Sequence, residues 1–182
     1  MDLKKTIFIL LAACFCGIVP VAAQQTAFWQ VNAEGNYSFL NRSDHDAYGA
    51  GIAVGKAQNN SFIGMGTGWW KESENDFLPV YLKLKYNFTD TTVSPYGTLK
   101  VGVSFNTTNS WHVGALAQIS AGVDTKLSAS TGLYFEAGAQ IYSFSVKNTR
   151  RSSSWNTGFL DNTTSEPGVA FILTMGLRFN MN

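Results

Sequence analysis

Hydrophobic and polar positions alternate without a break from Phe77 to Phe88. Leu78, Val80, Leu82, Leu84, Tyr86 and Phe88 form one face, and Phe77, Pro79, Tyr81, Lys83, Lys85 and Asn87 the other. A period of two is the signature of a strand. After a polar turn, Thr89 to Ser94, the pattern resumes, with Gly97, Leu99, Val101, Val103 and Phe105 set against Tyr96, Thr98, Lys100, Gly102 and Ser104. Each arm exceeds the about 5–6 residues usual in globular strands. Each suits the roughly 9–11 residues of a tilted strand crossing a bilayer. A lone hairpin in lipid would leave backbone groups unpaired at its edges, so the pattern calls for enough further strands to close a ring.

The rest of the chain supplies them. Trp29 to Phe39 predicts a first strand, Tyr48 to Lys56 a second and Phe62 to Trp70 a third. Phe77–Phe88 and the arm ending at Phe105 are the fourth and fifth; Val113 to Lys126, Thr131 to Ser145 and Pro167 or Gly168 to Phe179 complete eight. Connections after strands two, four and six read as short turns, including Gln58–Ser61. Those after one, three, five and seven read as mostly longer loops, including a charged Lys71–Asp76 and the longest, Val146–Glu166. That alternation matches barrels with short periplasmic turns and longer outer loops. The expected fold is therefore all-β: an eight-stranded antiparallel transmembrane up-and-down β-barrel over residues 24–182, preceded by a cleaved signal peptide over residues 1–23.

The leader reading rests on Lys4 and Lys5, the apolar run Thr6–Val19 and the small residues Val21, Ala22 and Ala23. A competing reading takes Leu11-Ala12-Ala13-Cys14 as a lipidation box. Both cysteines, Cys14 and Cys16, fall in this segment, so the barrel has no disulfide or thiol chemistry. Removing Asp2, Lys4 and Lys5 with the leader leaves 11 basic and 11 acidic residues, which gives no footing for nucleic acid. Charged residues make up 14% of the chain, well under the about 25% of soluble domains, and this suits an outer surface that meets lipid.

Aromatics gather at strand ends as two girdles. Trp29, Phe62, Tyr86, Phe88, Tyr96 and Phe179 are expected at the turn end, and Phe39, Tyr48, Trp69, Trp70, Phe77, Phe105 and Trp111 at the loop end, with Tyr96 and Trp70 alternatively inward. A soluble barrel would reverse the faces. Here the polar faces carry much glycine and alanine and little charge, a poor surface for water but a good filling for a narrow lumen.

The inward charges fall at two heights. Glu34, Lys83, Lys100 and Glu136 sit near the middle; Lys85, Asp124, Lys126 and Arg178 sit nearer the turn end. Buried charges require partners. A salt-bridged plug is the structural reading, and a proton or ion path the functional one. Tyr81, Tyr134, Tyr142, Leu116 and Gln118 are inward and large enough to help fill the lumen. No cofactor site, metal cluster or fixed catalytic spacing is legible. His45, between Asp44 and Asp46, and His112, after Ser110 and Trp111, are the histidines from which an enzyme would have to be built.

Leu78-Pro79-Val80-Tyr81-Leu82-Lys83-Leu84-Lys85-Tyr86, Val93-Ser94-Pro95-Tyr96 and the closing Met175-Gly176-Leu177-Arg178-Phe179 resemble the outer-membrane protein β-barrel domain family, especially its small Bacteroidetes-type members. The resemblance implies a Gram-negative outer membrane and a structural or surface-interaction role through the outer loops toward an unidentified ligand or surface; contact with the membrane lipid and a monomer are expected beside it. A lipid-A-modifying enzyme or a narrow channel is the alternative. It also implies assembly by the barrel-assembly machinery, with Gly176 and Phe179 in the terminal signal, although Asn180-Met181-Asn182 extends past the usual last aromatic.

Overall fold

A computed structural model describes residues 27–40, 46–72, 74–108, 112–147 and 163–181; the expected leader lies outside them. Eight strands follow in chain order: β1 Phe28–Leu40, β2 Ala47–Gln58, β3 Ser61–Glu72, β4 Asn75–Asn87, β5 Val93–Asn106, β6 His112–Lys126, β7 Thr131–Lys147 and β8 Thr163–Met181. Each pairs antiparallel with its sequence neighbours, and β8 returns to β1, closing the barrel. Closure removes every edge that lipid would penalise.

The stagger follows from the register. Partners lead from Gln30 through Gly55, Gly64, Lys83, Lys100, Gln118, Gln140 and Ala170 to Leu40. One circuit therefore climbs ten residues along β1, from 30 to 40. Strand number and stagger together fix the tilt and a lumen about wide enough for side chains to fill.

The two faces are inverted relative to a soluble protein. Met65 and Ile119 are each 67% exposed, whereas Lys83 and Lys100 are 1% exposed. A surface made of the large apolar side chains belongs in lipid, and the buried lysines belong to an enclosed polar interior. The alternation read from sequence holds on all eight strands wherever their side chains are described.

Several boundaries differ from expectation. The Lys71–Asp76 segment is not a loop: Lys71 pairs with Asp76 and Glu72 with Asn75, so β3 and β4 are joined by residues 73–74 alone. This breaks the clean alternation of loop lengths. Charged side chains at a barrel rim need not leave the ladder, because the rim is wet. Likewise β7 and β8 continue past the expected loop ends, with Lys147 paired to Thr163, so residues 148–162 form the connection. The Gln58–Ser61 turn tightens to Asn59 and Asn60, with Asn59 at φ 53°, a left-handed conformation that asparagine tolerates. Pro79 lies within β4, and the β3–β4 ladder skips the two rungs between Thr67–Val80 and Trp70–Phe77. Proline has no N–H to donate there, and Thr67 Oγ1 instead donates to the Pro79 carbonyl at 3.0 Å.

Two expected girdle aromatics, Phe62 and Phe77, turn inward and are buried, as are Trp70 and Tyr96. Their strand parity matches the polar face, and parity decides over residue type. Trp111 lies outside the described residues.

Candidate functional site: a filled lumen

The lumen is built from one side chain in two on every strand. Its middle is organised by Glu34. Lys83 Nζ donates to Glu34 Oε2 and Lys100 Nζ to Glu34 Oε1, each at 2.6 Å. Tyr81 Oη donates to Oε1 at 2.8 Å, and Tyr134 Oη to Oε2 at 3.1 Å. A carboxylate has about four acceptor positions, so Glu34 is saturated. The arrangement also resolves a conflict in the ladder. Lys83 and Lys100 are direct cross-strand partners, and like charges placed opposite each other are destabilising. One carboxylate reaching in from β1 holds both.

Glu136 completes this level. It lies 3.5 Å from Lys100 Nζ and accepts from Tyr96 Oη at 3.0 Å and Gln118 Nε2 at 3.3 Å. The bulky rings fit because glycines lie beneath two of them. A Cβ at Gly66 would stand 2.5 Å from the Tyr81 ring, and one at Gly176 would stand 2.3 Å from Tyr134 Cζ. Gly176 therefore has a packing reason of its own, apart from the terminal-signal reading. Phe179 points outward and is 40% exposed.

Nearer the turn end, Lys85 pairs with Asp124, and Arg178 Nη2 donates to Asp124 Oδ1 at 3.2 Å. Lys85 Nζ also lies 4.1 Å from the Tyr96 ring centroid and 5.2 Å from that of Tyr134. Lys126 does not join them. Its exposed side chain pairs at 2.6 Å with Asp90 of the β4–β5 turn. It keeps the inward parity but sits at the strand end, where the long stem reaches water.

The loop end is closed by different chemistry that the charge pattern did not reveal. Trp70 and Phe77, cross-strand partners, pack with Leu116, Ile172, Ala53 and Tyr81 in one buried apolar cluster. The void left beside Trp70 and Ile172 is about 10 Å³, no more than one water needs. Parity could have found this cap, since Trp70, Phe77 and Ile172 all fall on otherwise polar faces. A larger depression of about 630 Å³ is bordered mostly by outward side chains, including Tyr37, Phe135, Leu173 and Met175. It is a furrow in the lipid face, where Gly35, Ala121 and Ala137 are small.

The candidate catalytic histidines gain no setting here. His45 lies outside the described residues, and His112 opens β6 at the loop end. No group of three or more His, Cys, Asp or Glu placed to hold a metal occurs among the described residues. The side chain of Tyr142 also lies outside what is described.

No family model matches the chain, and no curated protein does, so the resemblance to a Bacteroidetes-type family rests on Leu78–Tyr86, Val93–Tyr96 and Met175–Phe179 alone. Solved structures do match. Neisserial surface protein A aligns at 14% identity over 86% of this chain and 100% of its own, with a TM-score of 0.58. The outer membrane enzyme PagL aligns at 12% identity over 82% of this chain and 99% of its own, with a TM-score of 0.55. One is a surface protein and the other an enzyme, so the likeness carries architecture and not activity. With its lipid-type exterior and closed ring, the chain has the fold of the small eight-stranded β-barrels of bacterial outer membranes.

Proposed function

We propose that this protein is an outer-membrane barrel, exported by the signal peptide at residues 1–23, whose role is structural or surface-interacting and not that of a pore or an enzyme. The observation that supports this reading is the doubly filled lumen: an ionic belt around Glu34 with an apolar cap above it at the loop end. A transport path would have to cross both. With nothing to carry through its interior, the barrel offers partners its connections, above all residues 148–162, which join the two longest strands. The loop end then faces outward and the turn end faces the periplasm. Assembly runs through the barrel-assembly machinery, with Gly176 and Phe179 in its signal, and the ligand is a surface or molecule met outside the cell.

Conductance tests the closed lumen. Protein reconstituted in planar bilayers should show no steady current above leak in ordinary salts; a reproducible channel would move the function to transport. An epitope inserted within residues 148–162 should be reached by antibody on intact cells without loss of the barrel. Exposure of one inserted at Asn59–Asn60 instead would reverse the orientation. Substituting His45 and His112 should leave the lipid A profile unchanged, whereas a changed profile would favour a lipid-modifying enzyme.

A further inference from the structure

Charge balances at one level of the lumen and not at the other. In the middle, Lys83 and Lys100 meet Glu34 and Glu136, two against two. Nearer the turn end, Lys85 and Arg178 share Asp124 alone. Among the described residues no further acid enters that level, because Asp90 is taken by Lys126 at the exposed rim. One positive charge is left over where Lys85 is 5% and Asp124 2% exposed and the Arg178 side chain 11%. The faces of Tyr96 and Tyr134 ease that charge but do not neutralise it.

Unused polar groups stand beside both cations. Asn32 is the cross-strand partner of Arg178, and its buried Nδ2 has no hydrogen-bond partner. Thr98 is the cross-strand partner of Lys85, and its buried Oγ1 has none either. Arg178 Nε lies 3.2 Å from Asp124 Oδ2 without hydrogen bonding to it. All three can donate. Water would satisfy donors but would leave the charge. An uncompensated charge largely cut off from water, with idle donors beside both cations, calls for a ligand that is both acceptor and anion.

We propose that the turn-end lumen, at the level of Lys85, Arg178, Asn32 and Thr98, binds one small inorganic anion of the chloride class. The anion neutralises the second cation on Asp124 and accepts from the unused donors. The reading is independent of which way the barrel faces and of what its loops bind.

The test uses the folded barrel in neutral detergent, with chloride exchanged against gluconate at constant ionic strength. The wild-type melting temperature should rise with chloride and saturate, as for any ligand that binds only the folded state. The chlorine-35 resonance should broaden in its presence. Lys85→Met leaves Arg178 and Asp124 as a neutral pair, so both responses should disappear. Asn32→Ala removes one donor without touching a charge, and should require several-fold more chloride for half the response. Equal melting in chloride and gluconate would overturn the proposal. So would a chloride response retained in Lys85→Met. Should Lys85→Met fail to fold, an unchanged chloride response in Asn32→Ala would overturn it.

Discussion

The two halves of the lumen solve one problem in opposite ways. The half toward the turns is filled with charge: four cations and three carboxylates, nearly all buried. The half toward the loops carries no such belt: the apolar cluster of Trp70, Phe77, Leu116 and Ile172 packs there among uncharged polar side chains such as Ser38, Ser104 and Gln140. Both use the same inward parity on the same eight strands, so backbone geometry does not dictate the filling. The halves differ in how they fail. An apolar cap loses packing by degrees as atoms are removed. An ionic belt loses far more when one partner goes, because the other is left charged in a low dielectric.

That contrast ranks the expected effects. Glu34→Gln should be the most damaging single change, since it leaves Lys83 and Lys100 facing each other across adjacent strands. A loss of about 3–5 kcal/mol is expected, read by urea unfolding of the reconstituted protein. Glu136→Gln should cost less, because Glu136 meets one lysine, at 3.5 Å. If the triple change Glu34→Met, Lys83→Met, Lys100→Met recovers most of the loss, the belt matters through pairing and not through shape. Equal effects of Glu34→Gln and Glu136→Gln would break the view that Glu34 organises the site.

In the cap, Leu116→Ala should cost about 2–5 kcal/mol and leave the belt intact. The variant should stay non-conducting, because the second seal remains; a current would show that the cap alone closes the lumen. Between the halves, Gly66→Ala would press a methyl against the Tyr81 ring that donates to Glu34. Overpacking of this kind costs about 1–3 kcal/mol, visible as a lower melting temperature.

The smallest effect belongs to the exposed pair at the rim. Asp90→Asn should cost at most about 1 kcal/mol, as exposed pairs do. The hydrogen bond from Lys126, and then its positive charge, holds the Asp90 carboxyl below its ordinary value. The pair's contribution is thus present above the ordinary carboxylate range and fades as pH falls through the lowered value. The wild-type advantage over Asp90→Asn should therefore shrink in acid.

Strand number, order, closure and facing were all legible from alternation, because a membrane barrel obeys period two with few exceptions. The acids and bases of the belt were legible too: a Glu or Lys on a lipid-bound strand has to point inward. Residue type misled where it was set above parity. Phe62 and Phe77 read as girdle aromatics although their neighbours two positions away, Gly64 and Pro79, face the lumen. Rim chemistry misled as well: Lys71 and Asp76 are as polar in a ladder as in a loop, and Lys126 keeps the inward parity yet pairs with Asp90 at the exposed rim. Pairing was beyond reach: nothing along the chain says that Glu34, and not Glu136, takes both lysines, because that depends on the ten-residue stagger.

That choice of partner bears on how the chain becomes a barrel. Glu34 lies in the first strand, and its partners stand 47, 49, 66 and 100 residues further on. No hairpin brings them together, whereas neighbouring strands can zip locally. The belt can form only when β8 meets β1, the step with the largest separation along the chain. Until that moment Glu34, Lys83 and Lys100 are three mismatched charges in an open sheet, and afterwards they are one saturated cluster. The ion pairs thus act as a latch: they reward the finished ring and nothing short of it.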